Sequence, residues 1–318
     1  MRCVLSHFAV PVCFPSAHFR VPSPPPSRLL PVLPADADLF SIPLATGAHL
    51  HVERYGYGDE PVVLVHGFGT TSFLWRHVGP LLAVHGLRVF SIDLLGYGES
   101  DRPYEAEFGV DAQSGYLDAA LTALELRRAT VVGLDLGALV GLRLAVDRPE
   151  RIWRLVMVGP PPLNDIAGPE VRELQRDTAR HAIRLTQGLF GALALLRPFL
   201  RDSVESADAM PWQLMGRYAL PFLGREGTTH LLSLAGSLKE EDVADIDLTR
   251  VRQRTLVLRG TRDRWCTRPV AEAYANAIPK GLYQSVDGVG HLVPEEDPGA
   301  LAQLIAAFVR TADEDRGS

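Results

Sequence analysis

From residue 36 onward the chain alternates two kinds of apolar pattern. Short, almost unbroken runs of β-branched and aliphatic residues occur at 61–67 (PVVLVHG), 87–94 (LRVFSIDL), 129–135 (ATVVGLD), 152–159 (IWRLVMVG), 255–260 (TLVLRG) and 282–288 (LYQSVDG). Runs this short suit parallel strands covered on both faces. LFSIPL and HLHVERYG, just ahead of them, read as a hairpin pair of short strands. Stretches of helical period lie between the runs, among them DAQSGYLDAALTALEL and PGALAQLIAAFVRTA. The alternation predicts an α/β fold, a mostly parallel eight-stranded sheet with helices on both faces.

Residues 161–244 break the alternation. They carry helical periodicity, as in VRELQRDTARHAIRLTQGLFGALALLRPFL, and no convincing strand. A helical insertion between two strands is placed to act as a lid, because sites in such folds lie beyond the carboxyl ends of the strands. The expected organisation is therefore a core of 36–160 and 245–315, a helical lid of 161–244, and a separate segment 1–35. That segment holds eight prolines and shows neither period. It reads as a disordered leader; Pro11 and Pro15 interrupt the one stretch that resembles a signal peptide.

Composition narrows the function. A formal net charge of −6 and a pI near 5.9 argue against a nucleic-acid binder, which needs a basic face. No run of about 18 apolar residues marks a membrane span. Cys3, Cys13 and Cys266 fit neither a zinc motif nor a disulfide framework, so the default expectation is a cytoplasmic protein without metal.

The chemistry begins at Gly133-Leu134-Asp135-Leu136-Gly137. These residues follow a strand run and precede an apolar helix, the context of a nucleophile elbow, where small residues at ±2 permit a tight turn. An aspartate capping a helix would also explain Asp135 alone. Three other pieces agree with the elbow. His66-Gly67-Phe68-Gly69 ends a strand in a glycine-rich bend whose N–H groups can face a developing oxyanion. Asp263 follows TLVLRG by three residues, and His291 lies just past the last strand in VDGVGHLVP. The chain order is nucleophile, acid, base. His66 and Asp93 read as structural.

With these motifs and DLLGYGESDRP at 93–103, the chain over about residues 38–312 resembles the α/β-hydrolase superfamily, whose triad follows that order. The aspartate in the elbow makes it similar to the branch of epoxide hydrolases and haloalkane dehalogenases. The resemblance implies a fold with a helical lid, a triad of Asp135, Asp263 and His291, backbone N–H groups of Phe68 and Leu136 as oxyanion donors, a small apolar organic molecule as partner, and no cofactor. A carboxylate attacking an ester carbonyl gives a reactive anhydride; attack on a saturated carbon gives an ordinary alkyl ester, which water activated by His291 can hydrolyse.

The substrate is less determined. Haloalkane dehalogenases usually carry tryptophan after the nucleophile and often asparagine after the first His-Gly; here these are Leu136 and Phe68, whose side chains donate nothing. Epoxide hydrolases typically use lid tyrosines and a His-Gly-x-Pro bend; here the proline is absent, and Tyr218 is the one tyrosine in 161–244. Epoxide hydrolysis to a diol is the preferred expectation, with Tyr218 as acid and Trp212 as a substrate-binding residue. His181, His230 and Trp265 are lesser donors. Haloalkane hydrolysis is the alternative, and a noncatalytic receptor on the same fold a lesser one. A serine esterase would need Ser72 or Ser100, and neither lies in an elbow.

Overall fold

A computed structural model describes residues 37–177, 181 and 191–311; the segment 1–35 lies outside the described residues. Eight strands form one sheet: β1 (Asp38–Pro43), β2 (His49–Tyr55), β3 (Glu60–Val65), β4 (Leu87–Ile92), β5 (Ala129–Leu134), β6 (Ile152–Val158), β7 (Arg254–Gly260) and β8 (Gly281–Val286). Their spatial order is β1-β2-β4-β3-β5-β6-β7-β8. β1 pairs antiparallel with β2 and β2 with β4, and every later pairing is parallel.

The burial of each strand follows its composition. All of β5 is buried, as is the Val62–Val65 run of β3, and apart from Thr130 in β5 both are apolar because both faces are covered. The last strand, β8, is mostly half-buried or exposed and reads LYQSV at the sheet edge. Helix α1 (Val78–Val84) packs with the C-terminal helix Pro298–Arg310, and α2 (Val110–Ala123) packs with α3 (Leu136–Asp147).

Strand order fixes where a site can form. The chain passes from β3 outward to β4 and then returns across β3 to β5. The connections leave β3 and β5 in opposite directions, which opens a crevice at their carboxyl ends. His66 and Asp135 are the first residues beyond those two strands.

Between β6 and β7 the described residues form helices Gly168–Gln175, Gly191–Asp202, Trp212–Ala219 and Gly224–Gly236, the last three separated by the 3₁₀ turns Ala207–Ala209 and Leu220–Phe222, and contain no strand. The long helical run read from Val171 to Leu200 is not continuous. The first helix ends at Gln175, where Arg176 turns extended (φ −65°, ψ 135°), and a new helix starts at Gly191. No helix among the described residues is long and apolar enough to cross a membrane.

Candidate active site

The elbow is built by two glycines. A β-carbon on Gly133 would lie 2.1 Å from the Gly137 carbonyl oxygen, and one on Gly137 would lie 2.4 Å from the Val65 oxygen and 2.6 Å from the His66 oxygen. Those contacts are with backbone, so no side chain can move aside. Only with glycine at both positions can α3 begin directly over the end of β5 while packing against the end of β3. Asp135 between them adopts φ 53° and ψ −117°, a conformation that an L-residue holds only under constraint. Its N–H donates to the Val158 carbonyl at the end of β6 (3.0 Å), and its own carbonyl receives Ala138 N–H (2.9 Å).

The carboxylate of Asp135 lies in the predicted oxyanion pocket. Oδ2 accepts the Phe68 N–H at 3.0 Å, and the Leu136 N–H also bonds to the carboxylate. Burial raises the Asp135 carboxyl above its ordinary 3.8; the His291 charge and the two N–H donors oppose that rise without cancelling it. Any step that needs the ionised carboxylate is therefore expected to show an acid limb above pH 3.8 in single-turnover rapid quench; a midpoint at or below that value would contradict the desolvated carboxylate.

Asp263 and His291 come together 28 residues apart in sequence. Asp263 Oδ2 meets His291 Nδ1 at 2.9 Å, and since a carboxylate only accepts, Nδ1 carries the proton. Asp263 Oδ1 accepts the N–H groups of Trp265 (2.9 Å) and Cys266 (3.0 Å), fixing the loop after β7. Gly159 (φ +55°) ends β6 beside this pair. A β-carbon there would fall 2.9 Å from the His291 ring and 3.2 Å from Asp263 Oδ2. The ends of β5, β6 and β7 thus carry Asp135, Gly159 and the Asp263 loop side by side.

An aromatic wall flanks the pair. Trp265 meets the His291 ring edge-on (centroids 4.8 Å, 83°) and stacks on Phe199 (5.1 Å, 12°), and Phe199 meets Phe68 edge-on at 6.0 Å. Phe199, from the insertion helix Gly191–Asp202, was not expected at the site. Its signal was lost among the many apolar residues of a helical stretch.

Two expectations for the insertion need correction. Trp212 is 72% exposed; it opens its helix after Pro211, ahead of the buried residues Met215, Tyr218 and Ala219, and lines no site. Tyr218 is fully buried, and its hydroxyl donates to the Glu295 carboxylate. Burial, reinforced by Glu295, pushes that hydroxyl well above its ordinary value of 10, which makes it a poor acid. The same carboxylate receives both terminal nitrogens of Arg76 (2.7 and 2.7 Å). The Arg76–Glu295 pair spans 219 positions, so no local motif announced it.

The lesser candidates also have places. His230 Nε2 bonds to the Gly96 carbonyl (2.7 Å), its ring packed against Phe108 and Phe222. His181 is exposed. His66 is wholly buried: its Nε2 accepts the Leu94 N–H (3.1 Å) while Nδ1–H donates to the Gly67 carbonyl (2.8 Å). It thereby ties the bend after β3 to the loop after β4, the structural role expected of it. Asp93 accepts the N–H groups of Ser72 (2.6 Å) and Glu99 (2.9 Å) in the same loop. Ser72 donates its hydroxyl to Glu53, and Ser100 donates to the Asp93 carbonyl. Among the described residues no group of three or more His, Cys, Asp or Glu is gathered as a metal would require.

Comparison with known proteins agrees with this geometry. A haloalkane dehalogenase from Agrobacterium fabrum is 40% identical over 124 residues, 39% of this chain and 40% of that protein, so the match spans less than half of that relative. A 2-hydroxy-6-oxononadienedioate/2-hydroxy-6-oxononatrienedioate hydrolase from Cupriavidus pinatubonensis is 26% identical over 272 residues, covering 83% of this chain and 91% of its own. Among solved structures, the epoxide hydrolase VrEH1 from Vigna radiata superimposes with a TM-score of 0.73 at 20% identity, over 87% of this chain and 99% of its own. The family model for the alpha/beta hydrolase fold matches residues 60–298. With the eight-stranded sheet and the elbow at Asp135, that match establishes that this chain belongs to the α/β-hydrolase family.

Proposed function

We propose that the chain is a hydrolase that acts at a saturated carbon through a covalent alkyl ester on Asp135. One observation carries this reading: the carboxylate of Asp135 already has Oδ2 on the Phe68 N–H. With one oxygen held by the oxyanion donors, the other is the oxygen that attacks. A lone pair on Oδ1 forms a C–O bond as the bond from carbon to its leaving group breaks. The held oxygen then becomes the ester carbonyl oxygen. When His291 takes a proton from water and hydroxide adds to that carbonyl carbon, negative charge develops where two N–H groups wait. Collapse expels the alkoxide, which takes the proton from His291 and leaves as the alcohol, and the carboxylic acid left on Asp135 loses its proton to solvent, restoring the carboxylate. Asp263 keeps His291 in the tautomer this requires and stabilises its cation.

Oxygen isotope labelling tests the ester directly. One turnover in ¹⁸O-water with excess enzyme is expected to leave the label in the Asp135 carboxylate and unlabelled oxygen in the product. Label in the first-turnover product would mean direct attack by water and would sink the reading.

The substrate class is a small apolar electrophile, in keeping with the aromatic wall of Phe68, Phe199 and Trp265. The similar dehalogenase and epoxide hydrolase suggest the two candidates. Epoxide opening leaves an alkoxide that needs an acid, and the expected acid, Tyr218, donates its hydroxyl to the Glu295 carboxylate instead. A halide departs without a proton, so on the described residues haloalkanes ask less of this site, and the sequence-based preference for epoxides loses its main support. Tyr218→Phe separates the cases. It is expected to lower epoxide and haloalkane turnover by the same factor, since both feel any loosening of the insertion. A loss of about 10²–10⁴ confined to epoxides would restore Tyr218 as a general acid.

A further inference from the structure

The loop that carries His291 is held on one side by the helical insertion. Glu296, at the end of the short helix Val293–Glu296, divides its carboxylate between the two. Oε2 accepts the N–H of Gly290, the residue before His291, at 2.6 Å. Oε1 accepts the N–H groups of Glu205 (2.9 Å) and Ser206 (3.1 Å), just beyond the insertion helix Gly191–Asp202. A second tie lies alongside: the Ser203 carbonyl accepts the N–H groups of His291 (2.8 Å) and Leu292 (3.0 Å). Three successive backbone donors, Gly290 to Leu292, are thereby committed to this junction. The approach is close enough that a β-carbon on Gly290 would lie 2.8 Å from the Ser203 oxygen and 3.1 Å from Glu296 Oε2.

Asp263 orients the imidazole ring, but these bonds place the backbone that the ring hangs from. The geometry of Asp135 comes from other contacts, with Phe68, Leu136, Val158 and the two elbow glycines, and Glu296 enters none of them. We propose that Glu296 is a positioning residue for His291, joining the base loop to the insertion so that ester hydrolysis depends on it and ester formation does not. The inference rests on the alkyl-ester reading of Asp135. It gives the insertion a role in the second chemical step, in addition to covering the site.

Glu296→Gln tests it. The amide keeps the side-chain volume but presents an NH₂ where one of the two links needs an acceptor. With 1,2-dibromoethane and styrene oxide as probes, rapid quench and intact-mass spectrometry read both steps. Ester formation is expected at the parent rate, and ester hydrolysis about 10²-fold slower, the scale of a small misplacement of a reacting group. The Asp135 adduct then dominates the steady state. Equal slowing of both steps, or no accumulation, would overturn the proposal.

A variant that fails to fold leaves a second measurement on the parent protein. Hydrogen exchange should show the amides of Gly290, His291, Leu292, Glu205 and Ser206 opening together at one rate; independent opening of the loop and of 205–206 overturns the coupling. An adduct in His291→Gln but none accumulating in Glu296→Gln rejects this inference alone. If His291→Gln also forms no adduct across a broad panel of epoxides and haloalkanes, the alkyl-ester reading fails and takes the inference with it.

Discussion

Replacing His291 with glutamine is expected to stop turnover after the first chemical step, leaving the enzyme esterified at Asp135. Glutamine fills much of the same space but cannot take a proton from water, and the second step needs that proton removed. The proposed first step does not, because in it Oδ1 of Asp135 would attack with its own charge while Oδ2 rests on the Phe68 N–H. Overall turnover should fall by about 10⁴-fold or more, as in other sites that lose a member of a nucleophile–base–acid set. Intact mass after incubation with styrene oxide or 1,2-dibromoethane should show a single addition, and peptide mapping should place it within 129–147. An unmodified protein across a broad panel of epoxides and haloalkanes would remove Asp135 as nucleophile. Halide release by the parent enzyme with no diol from any epoxide would settle the order of the two substrate classes in favour of haloalkanes.

Adding one methyl group at Gly137 is expected to damage fold and site together. The new β-carbon would lie 2.4 Å from the Val65 oxygen and 2.6 Å from the His66 oxygen. Val65 ends β3, a strand hydrogen-bonded on both sides and buried from Val62 to Val65, so this backbone has nowhere to retreat. Gly137→Ala must instead lift the start of α3 or displace the bend through Gly67, and either shift separates Asp135 from the Phe68 N–H. A loss of about 3 kcal/mol follows from overpacking of this kind, together with a fall in turnover of about 10²-fold from the misplaced oxyanion donors. Urea unfolding measures the first through a lower midpoint at unchanged slope. Gly115→Ala serves as the control. Gly115 lies in α2 with nothing within 4 Å of an added β-carbon, so that change should stabilise by about 0.5–1 kcal/mol. If both alanines behave alike, crowding at the elbow is not what constrains Gly137.

How far the chain could be read without coordinates depends on the range of each interaction. The strand runs were legible because burial on both faces demands apolar residues at nearly every position, a demand visible within six or seven letters. β5 and β3 meet it, and the partly exposed β8 was still marked by its flanking turns. The elbow was legible for a related reason: Gly133 and Gly137 are there because their own neighbours leave no room. Asp263 and His291 were found from their positions just past strands, since the end of a strand is where the sheet presents a side chain to the crevice.

The insertion was read less well. Helical periodicity identifies a face, but not what the face meets, so it could not separate an exposed Trp212 from a buried Tyr218 seven residues into the same helix. Nor could it show that Phe199 would stack on Trp265, or that the Tyr218 proton would go to Glu295. The letters of HLVPEEDP gave no sign that the two glutamates serve different partners, Arg76 and Tyr218 for one and the backbone of 205, 206 and 290 for the other.

The sequence by itself determined the sheet, the elbow and the chemical identity of the groups gathered at its edge, because each follows from local sterics or from the requirement for burial along a strand. Only the tertiary structure decided which of those groups have protons to give and which backbone holds the base. Hydrogen bonds such as those from Tyr218 to Glu295 and from Glu205 to Glu296, 77 and 91 positions apart, are set by how the insertion seats on the core, and no local pattern of residues encodes that seating.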